Sequence, residues 1–248
     1  MRPLVLRGGE LMRVVAVMPI YGRPQVTGFS LQAAKALRGV DRLIVVGSTA
    51  QDEDTARRAG VEFKRHPNKP LGGKWQSCFS EALWGGADRV LFLGSDDWWE
   101  PDLLKHLEPY AEFDLVAPHF WGVLDVENRK AYYQHYKIRY DGAGTGRLYN
   151  ARFIRDRLGN TLYKPDAPLR GMDWYATRRI EEAGGRVITS PEARVVSLKG
   201  CSEGQQIYQV GELVDSGNII TERVPLKTAW VAHVLHEWEK WVSKTSQS

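Results

Sequence analysis

Cysteine is scarce in this chain: only Cys78 and Cys201 occur among its 248 residues, far apart and outside any metal-ligand spacing. A disulfide framework is not expected, and a reducing, cytoplasmic setting is the default. Long apolar runs are missing too. The opening MRPLVLRGGELMRVVAVMPIYG is broken by Gly8, Gly9, Glu10 and Arg13, too short and interrupted for a signal peptide or a membrane span. No GxxxxGK[ST] phosphate loop, internal repeat, low-complexity tract or linker is present, so one domain with two halves is the economical reading. Nor is there a large charge excess. Lys and Arg number 34 against 30 Asp and Glu, and the net charge of +4 permits an anionic partner without demanding one.

What is present is a regular succession of apolar runs and helical spacings. Val14–Met18 reads as a buried strand, ended by Pro19 and the turn Tyr21-Gly22-Arg23-Pro24. Helical spacing runs from Val26 to Leu37, with Gly39 at the expected cap. Leu43–Val46 and Val61–Lys64 read as strands around a helix that the acidic run Gln51–Asp54 opens and Gly60 closes. A helix from about Lys74 to Trp84 follows a glycine-rich loop, Arg89–Leu93 is a fourth strand, and Pro101 suits a first helical position. Non-alternating apolar strands separated by helices predict a mostly parallel, doubly wound sheet.

After Asp114–Pro118 the rhythm changes. Ala131–Tyr140 alternates, with Tyr132, Tyr136, Ile138 and Tyr140 on one face, as an antiparallel strand with one wet face would. The loop Asp141–Gly146 follows, then a helix capped by Asn150 and ended by Gly159, and a helix near Met172–Ala183. Arg186–Thr189 and Arg194–Leu198 read as short strands. Leu226–Val242 reads as a terminal helix whose Trp230, Trp238 and Trp241 cover the core or meet another copy.

Three stretches could carry chemistry. Asp96 and Asp97 stand where an apolar strand ends, the place where open parallel sheets bind ligands, and adjacent like charges there need a compensating cation or dipole. One or two carboxylates with substrate phosphates would hold a hard divalent ion, while a plain turn capping the next helix accounts equally for the pair. The loop Asn68-Lys69-Pro70-Leu71-Gly72-Gly73-Lys74 offers glycines and a lysine to an anion, or is a simple turn. Asp173 sits at a helix start, where an acid is favoured on dipole grounds alone, or where it accepts a proton from an attacking hydroxyl. His233 and His236 lie three apart without a third ligand nearby in sequence, which favours surface or packing roles.

In this order, the stretches MPIYGRP, VVGST, NKPLGGKW, LFLGSDDWWEPDLL and RGMDW resemble a GT-A-fold glycosyltransferase of the large inverting family 2 type, over roughly Val14 to Leu198. The resemblance implies a GT-A-like (Rossmann-like) α/β fold: a mostly parallel sheet flanked by helices, a smaller antiparallel acceptor-side part and a C-terminal helix. Residues 1–118 would form the nucleotide-sugar half, 119–200 the acceptor and catalytic half, and 201–248 a C-terminal extension. It also implies a hexosyltransferase drawing on a nucleoside diphosphate sugar, UDP-hexose foremost, with Mn²⁺ or Mg²⁺ and inversion at an unknown hydroxyl acceptor.

Carried over by position, Asp96 is the metal-binding acid with Asp97 beside it, Asp173 is the base and Lys74 the diphosphate-side cation. Pro19, Tyr21, Arg23, Gly47, Ser48, Asn68, Gly72, Gly73, Ser95 and Lys199 complete the donor side. Trp98, Trp99, His119, Gly144, Gly146, Arg147, Arg170 and Trp174 shape the acceptor side. The chain departs from the pattern at Gly94, where the first acid of D-x-D belongs, and at Gly47-Ser48-Thr49, where a base-contacting Asp is usual. It departs again at Met172, in place of a Glu, and at Lys199, near where relatives often carry a metal-binding His. Lys199 then either contacts the diphosphate instead or is a surface residue.

Two other readings use the same residues. Nucleotidyl transfer would direct the carboxylates and metal at a phosphate. A nucleic-acid-binding module would use Arg152, Arg155, Arg157, Arg170, Arg178 and Arg179 with Phe153, Tyr163, Trp174 and Tyr175, although a solvated helix face accounts for such arginines. The acceptor itself is a glycan, a small molecule or a hydroxylated base in nucleic acid.

Overall fold

The computed structural model describes residues 12–136, 142–167, 171–201 and 219–245. Its first half alternates β1 (Val14–Pro19), β2 (Arg42–Gly47) and β3 (Glu62–Arg65) with α1 (Pro24–Lys35), α2 (Ala50–Ala59) and α3 (Leu71–Trp84), and β4 (Arg89–Phe92) follows. These strands are parallel in the order β3-β2-β1-β4. Local chemistry sets the boundaries. Pro24 opens α1 with its fixed φ. Thr49 and Asp52 cap α2 reciprocally, and Gly60 ends it in the left-handed region.

Successive side chains of β1 point to opposite faces. Val14, Ala16 and Met18 join Leu31, Leu91 and Leu104 on one side, while Val15 and Val17 join Ile44, Phe79 and Phe92 on the other. Both faces are covered, which is why these strands read as apolar throughout.

Beyond β4 the sheet becomes mixed. β8 (Arg147–Asn150) is antiparallel to β4 and to the start of β6 (Leu115–Asp125). β6 also pairs antiparallel with β7 (Lys130–Tyr136) and parallel with the long β9 (Val187–Lys199), and β10 (Ile219–Val224) extends β7 antiparallel. A short β5 (Asp97–Trp99) is antiparallel to β9. Four more α-helices, α4 (Leu103–Leu107), α5 (Ala151–Leu158), α6 (Met172–Glu182) and α7 (Ala229–Thr245), and a 3-10 turn at Glu108–Tyr110 complete the described fold. The expected α/β architecture, with its smaller antiparallel part and terminal helix, is the one observed. Among the described residues no helix is long and apolar enough to cross a membrane.

Several boundaries differ from expectation. The acidic element does not run directly into a helix. Trp98 and Trp99 instead find backbone partners on β9 opposite Val196 and Val195, and α4 starts only at Leu103, two residues after Pro101. The two short strands expected near 186–198 are one strand. Its pairing with β6 slips between Pro118 and Phe120, where Pro191 falls, as expected for a residue without an N–H to donate. α3 begins at Leu71, so Gly72 and Gly73 lie inside its first turn. The expected tyrosine-rich strand is β7 as far as Tyr136, and residues 137–140 lie outside the described ones.

α7 folds back onto the sheet edge. Trp238 meets Phe29 edge-on at 5.4 Å, and Trp241 donates its indole N–H to Gln25 O at 3.1 Å. Gly28 and Gly122 make room for it, since a Cβ at either would come within 2.8 Å of Trp241 or 2.6 Å of Trp230. His233 packs against Trp98 at 5.3 Å. The terminal tryptophans therefore cover the core.

Candidate active site

The loops leaving the carboxyl ends of β1, β2 and β4 meet at one edge of the sheet. Gly22 takes the left-handed region at φ 62 and donates its N–H to Asp52 Oδ1 at 2.8 Å, and Pro24 starts α1 immediately after. Arg23, caught between, reaches Asp96 Oδ2 with Nη1 at 3.0 Å and Ser95 Oγ with Nη2 at 2.8 Å. Lys199, the last residue of β9, reaches the same Oδ2 at 2.5 Å. Burial by itself would raise the Asp96 carboxyl, but the Lys199 and Arg23 charges and hydrogen bonds outweigh it and hold it well below the usual carboxylate range.

Asp97 faces the other way. Its carboxylate accepts the hydroxyl of Ser197, directly opposite on β9, and also interacts with Thr145. Burial, then the Asp96 charge, push its carboxyl up to about 6. Thr145 Oγ1 also accepts the Gly94 N–H at 2.8 Å, which ties the 142–147 loop to the acidic turn.

The same loop meets Asp173. Gly144 packs on it, because a Cβ there would be 3.0 Å from Asp173 Oδ2. Arg147, 1% exposed, donates Nε to Ala143 O at 2.7 Å and Nη1 to Asp173 O at 2.8 Å and Thr177 Oγ1 at 2.9 Å. Its Nη2 lies 3.8 Å from the Asp173 carboxylate, which is 29% exposed at the second position of α6. Asp173 is therefore a solvent-reaching carboxylate held from behind by a buried cation.

Lys74 forms a third cluster. It is 1% exposed, and its three donors meet Ile20 O at 2.5 Å, Ser48 Oγ at 2.9 Å and Asn68 Oδ1 at 3.0 Å, 5.3 Å beneath the Tyr21 ring. Burial pushes its ammonium down to about 8.

Placed on this frame, the sequence candidates divide. Arg23, Ser95, Asp96 and Lys199 come together at one corner, and Asp173 with Gly144 lies across the 142–147 loop from it. Tyr21 and Trp174 are large exposed aromatics, 48% and 54% accessible, and Trp174 carries the Arg178 guanidinium at 5.4 Å. Pro19 ends β1, and His119 is half-buried at the irregularity of β6 beside the 142–147 loop, whose Ala143 N–H donates to Pro118 O.

Other candidates are corrected. Lys74 spends all three N–H donors on protein acceptors, so it clamps three loops rather than facing a diphosphate. Gly72 packs against the Lys164 carbonyl, where a side chain has no room, and the Gly73 N–H is spent on Pro70 O rather than left for an anion. Gly47 makes room for Phe63 and Asp52. Trp98 and Trp99 are buried core residues, Gly146 packs on Val195 and Pro118, and Arg147 sits behind Asp173 rather than on an acceptor wall. Arg170 lies outside the described residues.

Four residues were missed. Asp52 binds the N–H groups of Gly22, Ser48 and Thr49 and so fixes two loops, a role hidden inside an ordinary acidic helix start. Thr145, Thr177 and Ser197 lock the acids. The legible signal was Ser197, a hydroxyl two residues from Lys199 within an apolar strand.

The expected divalent ion does not fit these side chains as they stand. Asp96 Oδ2 is already taken by Lys199 and Arg23, so the oxygen a divalent ion would bind is held by two cations. Asp97 is committed inward. Among the described residues no group of three or more His, Cys, Asp and Glu could hold a metal.

A parallel nucleotide-type half, an antiparallel second half and an acidic turn after β4 define a GT-A-like fold. Solved structures share it. S. aureus TarS superimposes with a TM-score of 0.55 at 12% identity, over 76% of this chain and 37% of that one. TarS 1–349 in complex with UDP gives 0.51 at 13% identity, over 76% and 61%. 4-Diphosphocytidyl-2C-methyl-D-erythritol synthase gives 0.50 at 14% identity, over 83% and 96%. The chain thus spans well under two thirds of TarS, and at these identities the likeness is one of fold. No protein-family model matches the chain, and no curated protein matches it.

Proposed function

We propose that this chain is an inverting glycosyltransferase that moves a hexose from a nucleoside diphosphate sugar, UDP-hexose foremost, to an acceptor hydroxyl. One observation carries the reading. The 142–147 loop hydrogen-bonds the acidic turn through Thr145 and shields the base candidate Asp173 through Gly144 and Arg147, so a donor corner and a proton acceptor share one support. The nucleoside lies over the β1 and β2 loops, with Tyr21 as the exposed aromatic face. Asp173 takes the proton of the acceptor hydroxyl as that oxygen attacks the sugar carbon from the side opposite the leaving diphosphate. Trp174, beside it, offers a stacking face for a sugar or base.

The test is a thermal-shift screen of nucleoside diphosphate sugars, since a ligand that binds only the folded state raises the melting temperature by mass action. The reading expects one nucleoside diphosphate sugar to stabilise the protein and a nucleoside diphosphate to be released on transfer. Release of pyrophosphate would replace it with nucleotidyl transfer, a chemistry that this fold also hosts in the synthase named above.

A further inference from the structure

The acidic corner brings its own cations. Lys199 Nζ and Arg23 Nη1 converge on Asp96 Oδ2, and all three side chains are only 11–14% exposed. Both cations are fixed from their own backbones. Lys199 sits in β9 opposite Asp125 of β6, and its carbonyl accepts the Val126 N–H at 2.9 Å. Arg23 is held between the Gly22–Asp52 bond and the first turn of α1. An ammonium has three N–H donors and a guanidinium five, and the bonds to Asp96 and Ser95 use one and two of them. Both side chains therefore keep N–H donors beyond those spent on Asp96 and Ser95, at the end of β4, where this fold class receives phosphates.

We propose that Arg23 and Lys199 are a built-in substitute for the divalent ion: they bind the donor diphosphate directly, and transfer needs no metal. This rests on the glycosyl-transfer reading. As the bond between the sugar carbon and the diphosphate oxygen breaks, its electron pair stays on that oxygen. The acceptor oxygen bonds to the carbon, and its proton goes to Asp173. The new negative charge on the leaving diphosphate falls beside Lys199 and Arg23, fixed donors that need no reorganisation to receive it. Asp96 is then a positioning residue that aims both cations. The inward turn of Asp97 belongs to the same arrangement, since its oxygens are spent on Ser197 and Thr145 rather than left for an ion.

Calorimetric titration of UDP, GDP, ADP, CDP and TDP, each in EDTA and in excess MnCl₂, tests this. The proposal expects the diphosphate that binds to do so equally in both, within about twofold. It expects Lys199→Met to weaken that binding about tenfold or more, with Lys199→Arg restoring part of it, because charge-assisted hydrogen bonds to phosphate are lost and regained. Arg23→Gln is a second variant should Lys199→Met not fold, and the wild-type comparison needs no variant. Binding that requires Mn²⁺ and survives Lys199→Met would overturn the substitution while leaving glycosyl transfer standing. No binding of any diphosphate in either buffer would overturn both.

Discussion

The carboxylate of Asp97 occupies the space above Gly94, so that any Cβ placed on residue 94 would collide with Asp97 Oδ2. The acid is not free to swing aside, because Ser197 and Thr145 hold it. Gly94→Ala should therefore cost about 1–3 kcal/mol, as overpacking in a closed site does. Gly73→Ala meets only ordinary contacts at 3.6 and 3.7 Å and should cost much less. Urea unfolding of the two variants makes the comparison.

Asp173→Asn keeps the shape of the base but removes its ability to take a proton. Transfer should fall by roughly 10²–10⁴-fold. On the proposed reading donor binding should stay near wild type, because Asp173 meets the 142–147 loop at Gly144 and, among the described residues, makes no bond to the Asp96 corner. Single-turnover transfer and calorimetry on the same sample separate the two effects. Equal loss of both would remove Asp173 from the base role.

Thr177→Val deletes the acceptor of one Arg147 N–H deep behind Asp173. A loss of about 1–3 kcal/mol of stability is expected from the orphaned donor. Because Arg147 also holds the α6 backbone at Asp173, kcat should fall while donor KM is unchanged. Thr177→Ser should recover both.

Lys74 gives a pH signature. Its folded pKa, about 8, lies below the unfolded value, so the unfolded chain binds more protons between the two. Below about pH 8 both states are charged and the full burial penalty is present. As pH rises toward about 10 the penalty disappears, and wild type should gain roughly 1–3 kcal/mol relative to Lys74→Met. Urea midpoints at about pH 7 and about pH 10 report the difference, and its absence would show that Lys74 does not titrate as a buried group.

Trp238→Ala removes the ring that meets Phe29 and should cost about 3–5 kcal/mol. Circular dichroism melting measures it. A negligible change would mean that α7 contributes little to the core.

Much of the fold was legible because its determinants are local. Apolar runs, Pro24, Asn150, Gly60 and Gly159 each act within a turn of their own position, and those boundaries stood within a few residues. The parts that failed were decided at a distance. Trp98 and Trp99 looked like cleft aromatics until β9 supplied their strand partners, and Lys74 looked like a phosphate ligand until three separate loops claimed its protons. Asp96 and Asp173 stand out in the sequence by residue type and setting, and both meet cations in the structure. The direction in which Asp97 turns depends on Ser197, 100 residues away, and no spacing rule reaches that far.

Ser197 and Lys199 both project from one side of β9 because strand side chains repeat every second residue. A slip of a single residue in that strand would present Val196 and Leu198 to the acids instead, leaving two carboxylates against bare hydrocarbon. The corner therefore forms only once a loop of about a hundred residues has closed in correct register, a late event for a growing polypeptide. Nascent or partly folded copies would lack this corner altogether, so on the proposed reading nucleotide capture would double as a report that β9 has paired.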